Sequence, residues 1–283
     1  MSNVIKVSNA EKLAEQAVAA LKWEANFSPK PGLVTKSSNG SHKDMNIDLF
    51  IKSADSLYDT FLRIANVSKS IPISVVLREK VGAIGRDGEK AMLTATHGVN
   101  THKGAIWALG IIVAVISNQS TTDMSIIFQK CGELASIADR YVQLHSKTTY
   151  GIQVKKVYKI NGAREEAANG FPHVKTSLRL INVKTSLRLI NGQMVTDQLA
   201  WLRVLCLLYA TVDDTNVIHR SSLSVLRVFQ NEAKQAFEAP VIQESLAFKQ
   251  VTKMAEDYQI SPGGCADLFA ATYFLNNLVI EED

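Results

Sequence analysis

Apolar positions recur at intervals of three and four along most of this 283-residue chain, and that spacing predicts helices. Leu13, Ala17, Val18, Ala20 and Leu21 set the stripe of a first amphipathic helix. It should end near Asn26, because Ser28-Pro29-Lys30-Pro31-Gly32 cannot continue it. A second helix is expected from about Ile47 to Val67. The run Ile71 to Leu77 is ambiguous between strand and helix, and the charges after it favour a helix to about Lys90. Ala105 to Ile116 is apolar on every side and predicts a buried central helix. Further helices are expected at about 123–144, 194–211, 221–238, 241–258 and 265–279, with a short one between Gly162 and Pro172. No stretch keeps a two-residue alternation between turn signals. The expected fold class is all-α: a single compact bundle of about ten helices with no substantial sheet, one domain over residues 1–283. A basic link near 145–160, with Lys147, Lys155, Lys156 and Lys159, is the one candidate hinge or lid, its alternative being a solvated loop.

The stretch Val174 to Asn182 returns without change as Val183 to Asn191. Nine residues inserted into a helix would add about 13.5 Å and turn the downstream segment by about 180°. One copy should therefore be absorbed locally, as a protruding helical extension or a loop, while the flanking helices keep their places.

Composition narrows the class. With 46% hydrophobic and 20% charged residues the chain is globular, not disordered. A net charge of +4 is too small to argue for nucleic acid but suits anionic small molecules. The first 25 residues carry charges throughout, with no signal-peptide core, and the longest apolar run is too short to cross a bilayer. Cys131, Cys206 and Cys265 have no C-x-x-C spacing and read as reduced thiols in a cytoplasmic protein.

The chemistry sits in the breaks. Thr96-His97-Gly98-Val99-Asn100-Thr101-His102-Lys103-Gly104 runs straight into the central helix. Free N–H groups and a lysine at a helix start make a phosphate seat, although a well-capped core helix reads the same way. Nucleotide P-loop, dinucleotide-binding, zinc-protease, EF-hand and nucleophile-elbow signatures are absent. Instead there are five dispersed clusters, each mixing a phosphate-capable base with a metal- or proton-capable acid. They are Ser28 to Val34 with Asn39 to Met45, the central loop, Gly162 to Pro172, Asp213 to Arg220, and Ser261 to Leu268. The bases are Lys30, Lys43, Lys103, Arg164 and Arg220; the acids are Asp44, Glu166, Asp214 and Asp267. Taken singly, Asp44 would more often be a helix N-cap and His102 a satisfied loop histidine.

In order and spacing these five clusters resemble the ATP:3′-dephospho-CoA triphosphoribosyl transferase family, from about Leu21 to Phe274. The resemblance implies transfer of the triphosphoribosyl group of ATP to the 2′-hydroxyl of 3′-dephospho-CoA with release of adenine. The product is the precursor of the acyl-carrier-protein prosthetic group of citrate lyase or malonate decarboxylase, passed on to a phosphoribosyl-dephospho-CoA transferase. The resemblance marks thirteen residues as site candidates without assigning their roles. The chemistry of the reaction calls for Mg²⁺ as cofactor and suggests those roles, and charge and run length argue for no nucleic-acid or membrane partner. Substrate binding falls to Lys30, His42, Lys43, Asn100, Lys103, Arg164, Asn216 and Arg220. Metal contacts fall to Glu166, Asp214 and Asp267, since Mg²⁺ takes one or two carboxylates with phosphate oxygens. Catalysis falls to Asp44, His102 and Asp214: carboxylates would steady an oxocarbenium-like transition state, and His102 or Asp44 could serve as acid for adenine or base for the hydroxyl. Thr35, His97, Glu165 and Cys265 depart from the family pattern. Two other readings stay open, an Mg²⁺-dependent N-glycosidase-type hydrolase and a nucleotide-binding protein without catalysis, impaired by the duplication.

Overall fold

The apolar stripes fold where the spacing puts them, and side-chain caps set the ends. The computed structural model describes residues 6–7, 9–119, 121, 123–145, 157–158, 160–187, 197–278 and 280–281. Asn9 caps α1 (Ala10–Asn26), which stops before the predicted Ser-Pro break. The expected second helix is two, α2 (Ile47–Asp55) and α3 (Tyr58–Ser70), jointed at Ser56-Leu57. The ambiguous apolar run is open chain as far as Ser74, whose hydroxyl accepts from the Leu77 N–H and starts α4 (Val75–Ala95). The central helix is α5 (Lys103–Gln119). The stripe expected at 123–144 divides into α6 (Met124–Ser136) and the short α7 (Arg140–His145). Asp139, buried between them, binds Arg86 at 2.7 Å, and that pairing turns the chain.

Next come α8 (Ala163–Ala168), α9 (Pro172–Leu187) and α10 (Asp197–Thr211). An unanticipated short helix comes after them, α11 (Thr215–Arg220), then α12 (Leu223–Glu238), α13 (Leu246–Asp257) and α14 (Gly263–Asn276). Lys6–Val7 (β1) and Ile280–Glu281 (β2) pair antiparallel, the one ladder among the described residues. The fold is all-α. Ten of these helices run twelve residues or more; α2, α7, α8 and α11 are shorter.

Two helices apolar on every side, α5 and α14, pack on each other at the centre. Around α5 lie α1, α3, α4, α6 and α8; around α14 lie α1, α9 and α10, with α12 and α13 outside α10. Leu109 and every residue from Ile111 to Ile116 are at most 1% exposed. Each large side chain among them contributes about 1.5–3 kcal/mol by leaving water, so this core holds the start of α5 in place. The first nine-residue copy lies in α9, with Val174, Leu178 and Ile181 buried. The helix runs on through Val183–Leu187 of the second copy, and Arg188 to Asn191 lie outside the described residues. Most of the basic link, 146–156 with Lys159, lies outside them too. Among the described residues no single helix is long and apolar enough to cross a membrane.

Candidate active site

Five helices bring their first turn to one cavity of about 640 Å³. Lys103 and Gly104 of α5, Ala163 of α8, Pro172 and His173 of α9, Thr215 and Asn216 of α11, and Gly263 and Gly264 of α14 all line it. The partial positive charge of a helix start favours anions there, and carboxylates of the site already take one first-turn N–H each from α5, α9, α11 and α14. The loop before α2 forms another wall. Gly40 (φ 56°) folds onto Gly32 (φ 80°), where an added Cβ would meet main-chain atoms, and Ser41 Oγ donates to the Ile260 carbonyl at 2.5 Å. The loop is thereby tied to the segment leading into α14.

Of the candidate residues, Lys30, His42, Asn100, His102 and Lys103 line this cavity, as do Glu166, Asp214, Asn216, Arg220 and Asp267. Lys43, Asp44 and Arg164 do not. Lys43 is exposed on the loop. Asp44 is exposed as well and stands 3.8 Å from His42, while the cap of α2 is Asn46. Arg164 points outward from α8, within electrostatic reach of Arg78 on α4.

The acids divide by what already satisfies them. Asp214, 2% exposed, accepts from the Asn216 N–H at 2.9 Å and, through its other oxygen, from the Cys265 N–H at 3.0 Å. One carboxylate therefore caps both α11 and α14. Burial pushes its pKa up, and those N–H groups pull against the rise. Glu166 is clamped by His173, accepting from its backbone N–H at 3.0 Å and from its ring Nδ1 at 2.6 Å. That pairing raises the His173 pKa against the cost of burial. Asp267 differs. Its carboxylate takes the Ala105 N–H at the start of α5, lying where a Cβ on Gly104 would stand. Burial, with the Glu24 and Asp214 carboxylates nearby, pushes its pKa well above the usual carboxylate range.

The bases are partnered too. Lys30 is buried and holds both the Glu24 carboxylate and its carbonyl at 2.5 Å; burial lowers its pKa and Glu24 opposes that. Lys103 reaches Glu89 at 2.5 Å. Arg220 donates to the Ser41 carbonyl at 3.0 Å and to His42 Nδ1 at 3.2 Å. The His42 proton then lies on Nε2, which donates to Ser261 Oγ at 2.7 Å. Burial and the Arg220 charge lower the His42 pKa, against Asp44. His102 is 3% exposed, edge-on to Phe50 with centroids 5.0 Å apart, and its Nε2 has no hydrogen-bond partner. Burial, reinforced by Lys30, takes its pKa down to about 3.

Among the described residues no three His, Cys, Asp or Glu side chains are grouped so as to hold a metal ion by themselves. Asp214 and Glu166 are each met on both oxygens and Asp267 by the Ala105 N–H alone, which leaves Asp267 the carboxylate with most capacity for a cation. A hard ion taking one carboxylate and several phosphate oxygens fits that donor set, and it would relieve the crowding of Asp267 against Glu24 and Asp214.

Sequence reasoning missed Glu24, Ser53, His173 and Ser261. Glu24 and Ser53 carried a signal: each is a polar residue on the inward stripe of its helix, beside Leu21 and Ala25 or Phe50 and Ala54. Ser261 opens one of the five clusters but was not singled out within it, and His173 carried no signal beyond adjacency to Pro172.

Comparison with known proteins supplies the family. Residues 10–282 match the family of ATP:dephospho-CoA triphosphoribosyl transferases. The chain is 36% identical over 275 residues to the 2-(5''-triphosphoribosyl)-3'-dephosphocoenzyme-A synthase of Klebsiella pneumoniae, covering 96% of each chain. It is 40% identical over 276 residues to a probable enzyme of the same name from Stutzerimonas stutzeri, covering 96% of this chain and 93% of that one. A third, also named as probable, from Pseudomonas syringae pv. tomato, is 38% identical over 276 residues, at 96% and 92% coverage. No solved structure matches the chain. On a match that takes in all five clusters, the chain belongs to the ATP:dephospho-CoA triphosphoribosyl transferase family of enzymes.

Proposed function

We propose that the chain moves the triphosphoribosyl group of ATP to the 2′-hydroxyl of 3′-dephospho-CoA and releases adenine. The observation that carries this reading is the convergence of the five clusters on one cavity ringed by helix N-termini. The triphosphate is held, not cleaved, so the site must offer distributed positive potential without a nucleophile for phosphorus. Helix starts supply it, with Lys103 and Arg220 at the wall and Asn100 and Asn216 as amide donors. Mg²⁺ bound with the triphosphate would be held at Asp267 and would neutralise charge between phosphate oxygens. Asp214 then acts through the two helix starts that it fixes, and Glu166 through His173. His42 and Arg220 orient Ser261. His102, neutral and with a bare Nε2, suits the base for the acceptor hydroxyl better than exposed Asp44 does. Lys43, Asp44 and Arg164 are left to meet the outer parts of the substrates. The product would serve an acyl-carrier-protein prosthetic group, and a downstream phosphoribosyl-dephospho-CoA transferase would take it up.

Incubation with ATP, Mg²⁺ and dephospho-CoA, followed by chromatography and mass measurement, tests the proposal. Adenine should appear only with dephospho-CoA, in step with an adduct heavier by one triphosphoribosyl group. Adenine without the acceptor would identify a hydrolase instead.

A further inference from the structure

Of the buried polar side-chain atoms without a hydrogen-bond partner among the described residues, one belongs to the cavity wall: Nε2 of His102. The other ring nitrogen, Nδ1, lies 2.7 Å from Ser53 Oγ, and that hydroxyl lies 2.5 Å from Thr101 Oγ1. Thr101 and His102 both line the cavity, and Ser53 between them is fully buried on α2. The chain of three thus begins and ends on residues of the cavity wall and passes behind it through Ser53.

Such a path answers a difficulty in the proposed reaction. The acceptor hydroxyl must lose a proton and adenine must gain one. A buried ring beside Lys30 is a poor place for an imidazolium. A ring that takes a proton on one nitrogen while giving one up from the other never becomes charged. Hydroxyls donate and accept at once, so Ser53 and Thr101 can carry the released proton on.

We propose that His102, Ser53 and Thr101 form a proton relay from the acceptor hydroxyl to the departing adenine, an inference that rests on the transferase reading above. As the bond from the acceptor oxygen to C1′ forms and the bond from C1′ to N9 breaks, the hydroxyl proton passes to His102 Nε2. The Nδ1 proton passes to Ser53, the Ser53 proton to Thr101, and the Thr101 proton to a ring nitrogen of adenine. All three side chains end neutral, with His102 in its other tautomer, and water entering the emptied cavity resets it. His102 and Thr101, which meet the substrates, are the catalytic residues, and Ser53, acting between them, is a positioning residue. The charged groups facing them are Lys30 with Glu24, Lys103 with Glu89, and Asp267 against Gly104.

Steady-state kinetics of Thr101→Val, Ser53→Ala and Thr101→Ser test the relay. The first two should lower kcat about 10- to 100-fold, with KM for both substrates within about twofold, and Thr101→Ser should recover most of the loss. A curved dependence of kcat on deuterium fraction in wild type should become straight in Thr101→Val. A kcat for Thr101→Val within about twofold of wild type would overturn the relay. If the wild-type protein releases no adenine with dephospho-CoA, the transferase reading fails, and imidazole NMR then judges the relay separately. His102 should stay neutral from about pH 5 to 8 as exchanging tautomers, collapsing to one in Ser53→Ala; a ring titrating near about 6.5 would refute it.

Discussion

Asp214→Asn is the sharpest perturbation, because the two oxygens of this carboxylate start two different helices. Whichever way the amide is turned, its NH₂ faces either the Asn216 N–H or the Cys265 N–H, and one of α11 and α14 loses its acceptor. A hydrogen bond to a charged group is worth about 1.5–3 kcal/mol. Removing a buried carboxylate that burial already pushes toward its neutral form offsets part of this. The net loss should be about 2 kcal/mol, or about 4–8 °C in Tm for a chain of this size. Both helices present their first residues to the cavity, so adenine release should fall at least about 100-fold even well below the melting temperature. Differential scanning fluorimetry, paired with adenine chromatography at about 20 °C below Tm, reads both effects with the folded population intact. A Tm within about 1 °C of wild type together with near wild-type release would refute the double-cap argument.

Gly104→Ala should raise helix propensity at α5 by about 1 kcal/mol, yet its Cβ would displace the Asp267 carboxylate. Turnover should drop sharply, and the displaced carboxylate, losing the Ala105 N–H, should offset the propensity gain so that Tm does not rise; unaltered kinetics would refute the contact. Asp267→Asn tests linkage. Because the folded-state pKa of Asp267 is raised, its contribution is fully present below about 3.9 and is lost as pH rises through the folded pKa, by up to about 1.4 kcal/mol per unit. Urea denaturation should therefore show the variant gaining on wild type as pH rises, and parallel pH curves would count against it. His102 acts oppositely: with its pKa lowered to about 3, its stabilisation is complete above about 6.5 and falls as the medium is acidified. His102→Gln should flatten that acid limb in the same titration. Deleting residues 183–191 leaves Val174, Leu178 and Ile181 in their buried places, so circular dichroism and cooperative melting should persist; an unfolded product would refute local absorption of the copy.

Much of the fold was legible because the central helix is apolar all round and the amphipathic ones keep their stripes. Breaks marked by Pro or Gly were readable; the joint at Ser56-Leu57 was not, since both residues suit a helix interior. The turn at Asp139 depends on Arg86, 53 residues earlier, which no local window contains. The short helix α11 was hidden because its 6 residues are too few to show a stripe recurring at three and four. At the site, clusters tied to helix starts were found by their glycines and caps. Lys43, Asp44 and Arg164 shared those clusters but point elsewhere, because neighbours in a loop need not share a direction. Glu24 and Ser53 lay on helices read only for packing.

A cavity ringed by helix starts has a genetic consequence. Side-chain cations can be exchanged one codon at a time, and each here is already held by an acid, a carbonyl or a ring. Amides at the starts of α5, α9 and α14 survive any such exchange and keep their sign at every pH. Descendants of this chain could therefore alter which anion they favour by redecorating the rim, without rebuilding what attracts anions in the first place.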